Sequence, residues 1–245
     1  MDTSAPARPS VARPRVIGHR GAAAHAPENT LASFRRALAD GADGLECDVH
    51  LSADGEVVVM HDDSIDRTAD PASSLRTGLI ADLTREQLGT VALAGGEGVP
   101  GLDELLELST VPLFIEVKAP AAAAAVARLL ADLPPDSPAA ASTVISFHPE
   151  ALAELRRTVP DVPVSLLVET IDDDALAAAA ELGAAGIGPA IDGLSIAATR
   201  AAHEAGLAVN PWTVNTPGQL AVALACGVDT ITTDDPAWVK ETITR

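Results

Sequence analysis

Short apolar runs that end in polar residues recur along the chain from residue 15 onward. Each run has the length and composition of a buried strand. The runs are Arg15–His19, Gly44–His50, Pro112–Lys118, Thr143–His148, Pro163–Val168, Ala184–Gly188, Leu207–Val214 and Asp229–Thr233. Helical segments lie between most of them, and several stop just before a glycine, the usual residue after the last helical turn. These segments are Thr30–Asp40, Asp174–Leu182, Ser195–Ala205 and Thr216–Cys226.

The alternation of strands and helices predicts the fold class. Two further helices are expected, one in the Ala-rich run after Pro120 and one at Pro149–Thr158. Strand–helix alternation repeated to eight strands predicts an α/β fold, the (β/α)8 TIM barrel, with a doubly wound sheet as the second choice. The chain has 245 residues, and a single barrel of this type commonly has about 250.

One apolar run breaks the alternation. Glu56–Met60 follows the second strand after only the segment Ser52–Gly55. A parallel crossover needs about a dozen residues, so this pair is predicted to be an antiparallel hairpin. Its return arm would bring His61 back to the mouth of the barrel. The following stretch, about residues 62–110, is too long for a plain loop and is interpreted as a small inserted subdomain beside the mouth.

The N-terminal segment is expected to lie outside the barrel. Residues 1–14 are mostly Ala, Pro, Ser and Arg and lack the apolar core of a signal peptide. We expect them to form a disordered tail, with residues 15–245 as a single domain. No later stretch reaches the ~18 uninterrupted apolar residues of a membrane span. We therefore expect a cytoplasmic protein. We also expect it to be either a monomer or a homodimer.

Composition and charge exclude several classes of function. Hydrophobic residues make up 47% of the chain, which is incompatible with global disorder. The formal net charge of −19 argues against binding to nucleic acid and against stable membrane association, because both need a positive surface. The two cysteines are too few for a disulfide scaffold or a Cys-rich zinc module.

Carboxylates at the ends of two predicted strands are the first candidates for chemistry. Glu46 and Asp48 share one face of the second strand, and Glu116 lies on the third. Barrel strands are normally covered on both faces, and a buried carboxylate is costly unless it is paired or binds a metal. Three hard oxygen ligands at the C-terminal end of a barrel suit Mg²⁺ or Ca²⁺ better than zinc. The alternative is a set of buried ion pairs, for example Glu46 with Arg20 or Lys118.

Two histidines and two cations are predicted to join these carboxylates. His19 and His61 both reach the mouth, and a pair of histidines can serve as base and acid in one cycle. Arg20 can clamp a carboxylate or phosphate, and Lys118 can neutralise a phosphate oxygen or act as a counter-ion. Trp212 ends the seventh predicted strand, where it either lines a substrate pocket or packs in the core.

Taken together, these motifs resemble the glycerophosphodiester phosphodiesterases. The similarity runs in order from about residue 15 to Pro236. The motifs that carry it are His19-Arg20-Gly21, Pro27-Glu28-Asn29-Thr30, Glu46-Cys47-Asp48-Val49-His50-Leu51, His61-Asp62, Arg67-Thr68, Ile115-Glu116-Val117-Lys118 and Trp212-Thr213-Val214-Asn215.

The resemblance implies a barrel that holds a divalent metal ion, Mg²⁺ or Ca²⁺. The implied ligands are Glu46, Asp48 and Glu116. His19 and His61 are implied as general acid and base, with Arg20 and Lys118 near the phosphate. For Glu28 two roles stay open: contact with the substrate, or a helix cap that also orients Arg20.

The implied reaction is metal-dependent hydrolysis of a small glycerophosphodiester to sn-glycerol 3-phosphate and an alcohol. Our hypothesis for the histidines is His61 as base and His19 as acid. Two other readings of the same residues stay open. One is proton abstraction beside a carboxylate with Lys118 as base, as in enolase-like enzymes. The other is a phosphoester-binding protein without catalysis. Lysophospholipids or phosphoinositides are possible substrates, but the net charge of −19 favours water-soluble diesters.

Overall fold

The computed structural model describes residues 13–244, and its strands form one sheet. The tail is predicted at residues 1–14, and residues 1–12 of it lie outside the described residues. The strands are β1 Arg15–Gly18, β2 Gly44–Leu51, β3 Val57–Val59, β4 Leu113–Val117, β5 Thr143–Ser146, β6 Val164–Val168, β7 Gly186–Pro189, β8 Ala208–Val209 and β9 Thr230–Thr233. The α-helices are α1 Leu31–Ala39, α2 Arg85–Leu88, α3 Leu102–Leu108, α4 Ala123–Ala131, α5 Pro149–Thr158, α6 Asp173–Leu182, α7 Ile196–Glu204, α8 Pro217–Cys226 and α9 Pro236–Thr244.

The sheet closes into a parallel barrel, which confirms the predicted (β/α)8 fold. Its strand order is β8-β7-β6-β5-β4-β2-β1-β9, and all of these neighbours pair in parallel. Strand β3 stands outside this order and pairs antiparallel with β2, with Val49 opposite Val59. The predicted hairpin is therefore confirmed, and it explains why nine strands give an eight-stranded barrel.

The seam between β8 and β9 differs from the sequence prediction. A strand was expected over Leu207–Val214, but β8 covers only Ala208–Val209. The reason is Pro211, which has no N–H and cannot donate to a ladder. Single backbone bonds close the barrel here instead of a continuous ladder. Asp229 N–H donates to the Val209 carbonyl at 3.0 Å, and Val214 N–H donates to the Thr232 carbonyl at 2.8 Å.

The helices begin and end where the sequence provides capping residues. The Thr30 hydroxyl accepts from the Ser33 N–H at the start of α1, at 3.1 Å. The Asp172 carboxylate caps α6 in the same way. Gly183 follows α6 with a φ of 59°, a left-handed conformation that costs glycine little. Buried residues of α1 and α6 join the main core around the barrel.

The two faces of the barrel strands have different surroundings. Leu45, Cys47 and Val49 of β2 are fully buried in the main core, between the barrel and its helices. Inside the barrel, a smaller apolar cluster of Ile17, Phe114, Ile145 and Leu167 lies below the mouth. Phe114, Ile145 and Leu167 of this cluster also line a cavity at the C-terminal strand ends, beside polar side chains.

The segment after the hairpin has an apolar cluster of its own. Its buried members are Val58, Met60, Ile65, Ile80, Leu88, Val91, Leu93 and Val99. Helix α2 is capped by Thr84, which forms a capping box with Gln87. The assignment of residues 15–245 as one domain stays a prediction. No helix within residues 13–244 is long and apolar enough to cross a membrane.

Candidate active site

A cavity opens at the C-terminal ends of the barrel strands. This is the end at which parallel barrels carry their active sites. Its lining combines charged groups with apolar side chains. The lining residues are His19, Arg20, Glu46, His61, Phe114, Glu116, Lys118, Ile145, Phe147, Leu167, Asn210, Trp212, Thr213 and Thr232.

Three carboxylates converge on one side of this cavity. Pairing of β2 with β4 sets Asp48 directly beside Glu116, and Glu46 lies one pleat below on the same face. One oxygen from each of the three lies within 4.8 Å of the others. The side chains of Glu46 and Asp48 are only 4% and 1% exposed. This is a cluster of hard oxygen donors with little access to bulk water.

The ionisation of the cluster supports a cation-binding role. Burial, and then the charge of Asp48, raises the pKa of Glu46 to about 8. Burial and Asp48 also raise the pKa of Glu116, although Lys118 opposes the shift. A buried carboxyl group with a pKa as high as that of Glu46 lacks compensating positive charge. A divalent cation with oxygen ligands would supply that charge, so these residues fit such an ion.

Two basic side chains neutralise part of the negative charge of the carboxylate cluster. Lys118 Nζ lies 2.7 Å from Glu116 Oε1 and 3.4 Å from Asp48 Oδ1. Arg20 Nε lies 3.2 Å from Asp48 Oδ2. With Glu46 the contact of Arg20 is through its backbone N–H, which donates to Oε2 at 2.9 Å. Buried ion pairs are thus present beside the carboxylate cluster, but not the pairs with Glu46 named from the sequence. Asp48 pairs with the guanidinium, and Asp48 and Glu116 pair with Lys118.

The loop that carries Arg20 has an unusual backbone. Arg20 has a φ of 50° and the following Gly21 a φ of 89°. A Cβ at Gly21 would collide with the backbone of Ser33, so the loop needs glycine where it passes the start of α1. The Ser33 hydroxyl donates to the Arg20 carbonyl at 2.8 Å and holds the turn. The strained turn aims the Arg20 N–H and side chain at the carboxylates.

His19 is held by a carboxylate that the sequence analysis did not identify. Its Nδ1 lies 2.6 Å from Asp234 Oδ1, and its Nε2 lies 3.9 Å from Glu46 Oε2. Asn215 Nδ2 donates to the other oxygen of Asp234 at 2.6 Å. Burial opposes the charged imidazole, but Asp234 and Glu46 outweigh it and raise the pKa of His19. Asp234 directly follows β9, and an acidic residue at the end of a barrel strand is the signal that marks it.

His61, which follows the β2–β3 hairpin, is also held by a carboxylate through Nδ1. Its Nδ1 lies 2.7 Å from Asp62 Oδ1, and its carbonyl accepts from His50 Nε2 at 3.1 Å. Hydrogen bonds from Arg67 lower the pKa of Asp62, which keeps it ionised as a partner for the imidazole. With Nδ1 occupied in both histidines, Nε2 is the nitrogen available for proton transfer.

Glu28 lies outside the cavity lining, one layer behind Arg20. Its Oε1 accepts from Arg20 Nη1 at 3.0 Å, and Arg67 binds both of its oxygens. The cap of α1 is Thr30, so the helix-cap role does not apply. Of the two roles left open by the sequence, the geometry supports orientation of Arg20, and direct contact of Glu28 with substrate stays a prediction.

The opposite side of the cavity is apolar and aromatic. The chain has three Phe, two Trp and no Tyr, and Phe114, Phe147 and Trp212 all line this one cavity. The rings of Phe147 and Trp212 meet edge to face, with centroids 5.5 Å apart. Trp212 Nε1 donates to the Gly188 carbonyl at 3.0 Å. A Cβ at Gly188 would lie 2.6 Å from Leu167 Cδ2. Any larger residue at position 188 would therefore push the Leu167 side chain out of its place in the cavity lining.

The structure thus brings most of the sequence-predicted site residues together at one mouth. His19, His61, Arg20, Lys118 and Trp212 line the cavity together with Glu46 and Glu116. Asp48 completes the carboxylate cluster without lining the cavity, and Glu28 contacts Arg20 from behind. Their individual roles stay predictions. The sequence analysis named no role for Asn29, Asp62, Arg67, Phe147 and Asp234, which contact the predicted residues.

The arrangement can support cleavage of a phosphate ester. A cation at the carboxylate cluster, with Arg20 and Lys118, can stabilise negative charge on phosphate oxygens. Two histidines oriented through Nδ1 can move protons to and from the reacting oxygens. The apolar side offers a surface for carbon atoms of a bound molecule.

Comparisons with known proteins give consistent results. Residues 19–238 match the family described as "Glycerophosphoryl diester phosphodiesterase family". A Mycobacterium tuberculosis protein named "Probable glycerophosphodiester phosphodiesterase 1" is 32% identical, over 93% of each chain. A glycerophosphodiester phosphodiesterase of Bacillus altitudinis is 30% identical over 91% of this chain and 95% of that protein. An Oleispira antarctica phosphodiesterase, solved in complex with the product sn-glycerol-3-phosphate, superposes with a TM-score of 0.87 at 27% identity. That superposition covers 95% of this chain and 97% of the other.

Proposed function

Because this chain belongs to the glycerophosphoryl diester phosphodiesterase family, we propose that it hydrolyses water-soluble glycerophosphodiesters to sn-glycerol 3-phosphate and an alcohol. The chain is an enzyme of the phosphoric diester hydrolase class, as its relatives indicate. The product is proposed from the Oleispira antarctica structure, which has sn-glycerol-3-phosphate bound.

A single observation carries this proposal. The buried oxygens of Glu46, Asp48 and Glu116 meet within 4.8 Å at the same mouth that His19 and His61 reach. A divalent ion, Mg²⁺ or Ca²⁺, held by these carboxylates would polarise the phosphoryl group. Neither the cluster nor the histidine pair alone specifies diester hydrolysis, but together they supply charge stabilisation and proton transfer.

The remaining steps of the reaction are assigned to individual residues. Arg20 and Lys118 bind the non-bridging phosphate oxygens and stabilise the charge that builds up as the new P–O bond forms. His61 accepts the proton of the attacking hydroxyl, and His19 donates a proton to the departing alkoxide. The attacking group is water or a neighbouring hydroxyl of the substrate itself. In the second case, water then opens a cyclic phosphate.

Lys118 is poorly placed for the competing enolase-like reaction. Its Nζ lies 2.7 Å from Glu116 Oε1, and the charges of Asp48 and Glu116 overcome burial and raise the pKa of the amine. A lysine held as a cation is a weak general base. The same ion pairs suit a lysine that neutralises phosphate.

The test is a turnover assay with a matched pair of variants. Release of glycerol 3-phosphate from glycerophosphocholine and glycerophosphoethanolamine is measured after EDTA treatment and again with Mg²⁺ or Ca²⁺ restored. Glu46→Ala is compared with Glu204→Ala, which removes a carboxylate that is 71% exposed on α7. We expect metal-dependent turnover that Glu46→Ala abolishes and Glu204→Ala retains. A folded wild-type protein without turnover would instead favour the non-catalytic binding role. The monomeric or homodimeric state and the cytoplasmic location stay predictions.

A further inference from the structure

One arginine of the inserted segment connects two parts of the site without lining the cavity. Arg67 follows the hairpin and makes four short contacts with two carboxylates. Its Nε and Nη2 lie 2.6 and 3.1 Å from the oxygens of Asp62. Its Nη1 and Nη2 lie 3.0 and 2.7 Å from the oxygens of Glu28. Both carboxylates are therefore bound by a single guanidinium, with two contacts each.

Each carboxylate leads onward to a group of the proposed reaction. Asp62 holds His61 through Nδ1 at 2.7 Å. Glu28 holds Arg20 at 3.0 Å, and Arg20 in turn lies 3.2 Å from Asp48. A continuous series of charged contacts thus runs from the imidazole of His61, through Arg67, to the carboxylate cluster.

We propose that Arg67 is a positioning residue that fixes the imidazole of His61 relative to the Arg20 guanidinium. The inference rests on the proposed function, since both groups are assigned there to the reaction. His61 comes from the hairpin and Arg20 from the loop after β1, and these two elements are far apart in sequence. Pairing of β1 with β2 sets the relative position of the two backbones. Arg67 joins Asp62 and Glu28, the carboxylates that hold the two side chains.

The chemistry of the contact requires a guanidinium. Arginine presents five N–H donors in a planar fork and can bind two carboxylates at once, each with two bonds. Lysine has a single ammonium and keeps the charge but not this geometry. Without Arg67, Asp62 and Glu28 would be two like charges facing a common gap, and both would be pushed apart or protonated.

The position of Arg67 separates this role from a purely structural one. Its side chain is 49% exposed and contributes nothing to the buried cluster of the inserted segment. That cluster is built from Ile65, Ile80, Leu88 and similar residues, which a change at Arg67 leaves in place. Removal of the guanidinium should therefore disturb the orientation of His61 and Arg20 more than the fold.

The experiment compares kcat and KM of Arg67 variants with a matched arginine control on glycerophosphocholine. Arg85 is the control, because it also lies in the inserted segment but pairs only with Glu104, away from the cavity. We expect Arg67→Ala to lower kcat about 10–100-fold, the usual cost of losing a partner that orients a catalytic group. KM should change less than about threefold, because Arg67 is not among the residues that line the cavity. Arg85→Ala should retain wild-type kinetics.

A rescue experiment distinguishes positioning from loss of structure. Guanidinium at low, non-denaturing concentration should restore part of the kcat of Arg67→Ala, since it can occupy the gap between the two carboxylates. It should not restore His61→Ala. Arg67→Lys should remain at least about fivefold below wild type, because it keeps the charge without the fork. If thermal unfolding shows that Arg67→Ala is not folded at the assay temperature, the kcat of Arg67→Lys is compared with that of the wild type instead.

Three results would overturn the proposal. They are a folded Arg67→Ala with kcat within twofold of wild type, an effect confined to KM, and a kcat loss that guanidinium leaves unchanged. Failure of the proposed function looks different. In that case the wild-type protein itself gives no turnover, and the Arg67 and Arg85 variants cannot be distinguished from it.

Discussion

The two sides of the cavity differ in how they are built. We call the ends of β1, β2 and β4, with Arg20, His61 and Lys118, the charged wall. We call Ile145, Phe147, Leu167 and Trp212, on β5, β6 and the segment after β8, the apolar wall. On the charged wall, each functional group has an ionic or hydrogen-bonded partner that fixes its direction. On the apolar wall, the main constraint is packing, and only Trp212 has a directional bond.

This difference indicates a division of tasks. Directional contacts hold groups at positions where charge develops during a reaction, and so they mainly affect kcat. Packing against carbon atoms stabilises ground state and transition state alike, and so it mainly affects KM. Variants of the two walls should therefore separate kinetically.

The largest effect is expected at the carboxylate cluster. Glu46→Ala, or removal of the metal ion by a chelator, should lower kcat/KM about a thousandfold or more, or ~4 kcal/mol of transition-state stabilisation. The measurement is product release from glycerophosphocholine, with metal titrated back. Full activity of the chelated wild-type protein would show that the charged wall acts without a cation. The kinetic difference between the two walls would then not depend on a bound metal ion.

The histidines should give the next largest effect. His19→Ala and His61→Ala should each lower kcat about 10²–10⁴-fold with little change in KM, since each removes one proton transfer. The pH–rate profile of each variant should lose one limb: the alkaline limb for the acid His19, and the acidic limb for the base His61. Profiles that keep both limbs in both variants would contradict the assigned roles.

The apolar wall should respond in KM rather than in kcat. Trp212→Ala removes the ring that packs against Phe147, at a centroid distance of 5.5 Å. We expect KM to rise about 5–30-fold while kcat falls less than about threefold, in line with the ~1–3 kcal/mol from apolar contacts in a pocket. Trp212→Phe keeps a ring and should show a smaller rise. A loss mainly in kcat would show that both walls position the reacting groups.

The smallest expected effect is on stability. Glu46 has a pKa of about 8 in the folded, metal-free chain, against an ordinary value of 4.5. Between these pH values the folded state holds a proton that the unfolded state has released, so the free energy of unfolding falls as pH rises from 4.5 towards 8. The pKa of His19 is also raised above its ordinary value of 6.5. Above that pH, His19 therefore also lowers the free energy of unfolding as the pH rises.

Thermal unfolding of EDTA-treated protein over this pH range checks the prediction. The melting temperature should decrease with pH, and the decrease should be smaller in Glu46→Gln, which cannot ionise. Added divalent cation should raise the melting temperature most at the alkaline end, where binding requires no proton release. Equal slopes in the two proteins would assign the pH dependence to other groups.

The two walls also differ in what the sequence reveals. Glu46, Asp48 and Glu116 stand out because charged residues interrupt strands that should read as apolar, and alternation then assigns them to one face. Phe147 and Leu167 follow the apolar rule, and nothing in a single sequence separates a strand residue that lines a cavity from one in the core. Trp212 is a candidate because it ends a predicted strand and belongs to one of the motifs that carry the family resemblance.

Residues that act through another residue were the hardest to predict. Asp234 and Arg67 reach their partners across 215 and 39 positions of the chain, respectively. Such contacts depend on closure of the barrel and on the path of the inserted segment, and neither is a periodic property of the sequence. Strand β8 is shorter than predicted for a local reason, because Pro211 removes a donor from an otherwise strand-like run.

The short β8 also affects how the barrel fluctuates. Single bonds such as Asp229 N–H to the Val209 carbonyl join β8 to β9, whereas β2 and β4 share a register of five residue pairs. Regions with fewer mutually supporting hydrogen bonds open at a lower free-energy cost, so their amide protons exchange with solvent earlier. We expect deuterium uptake to begin around residues 208–214 and to reach β2 and β4 last. Trp212 is carried by this segment, so we expect the apolar wall to change shape more readily than the charged wall.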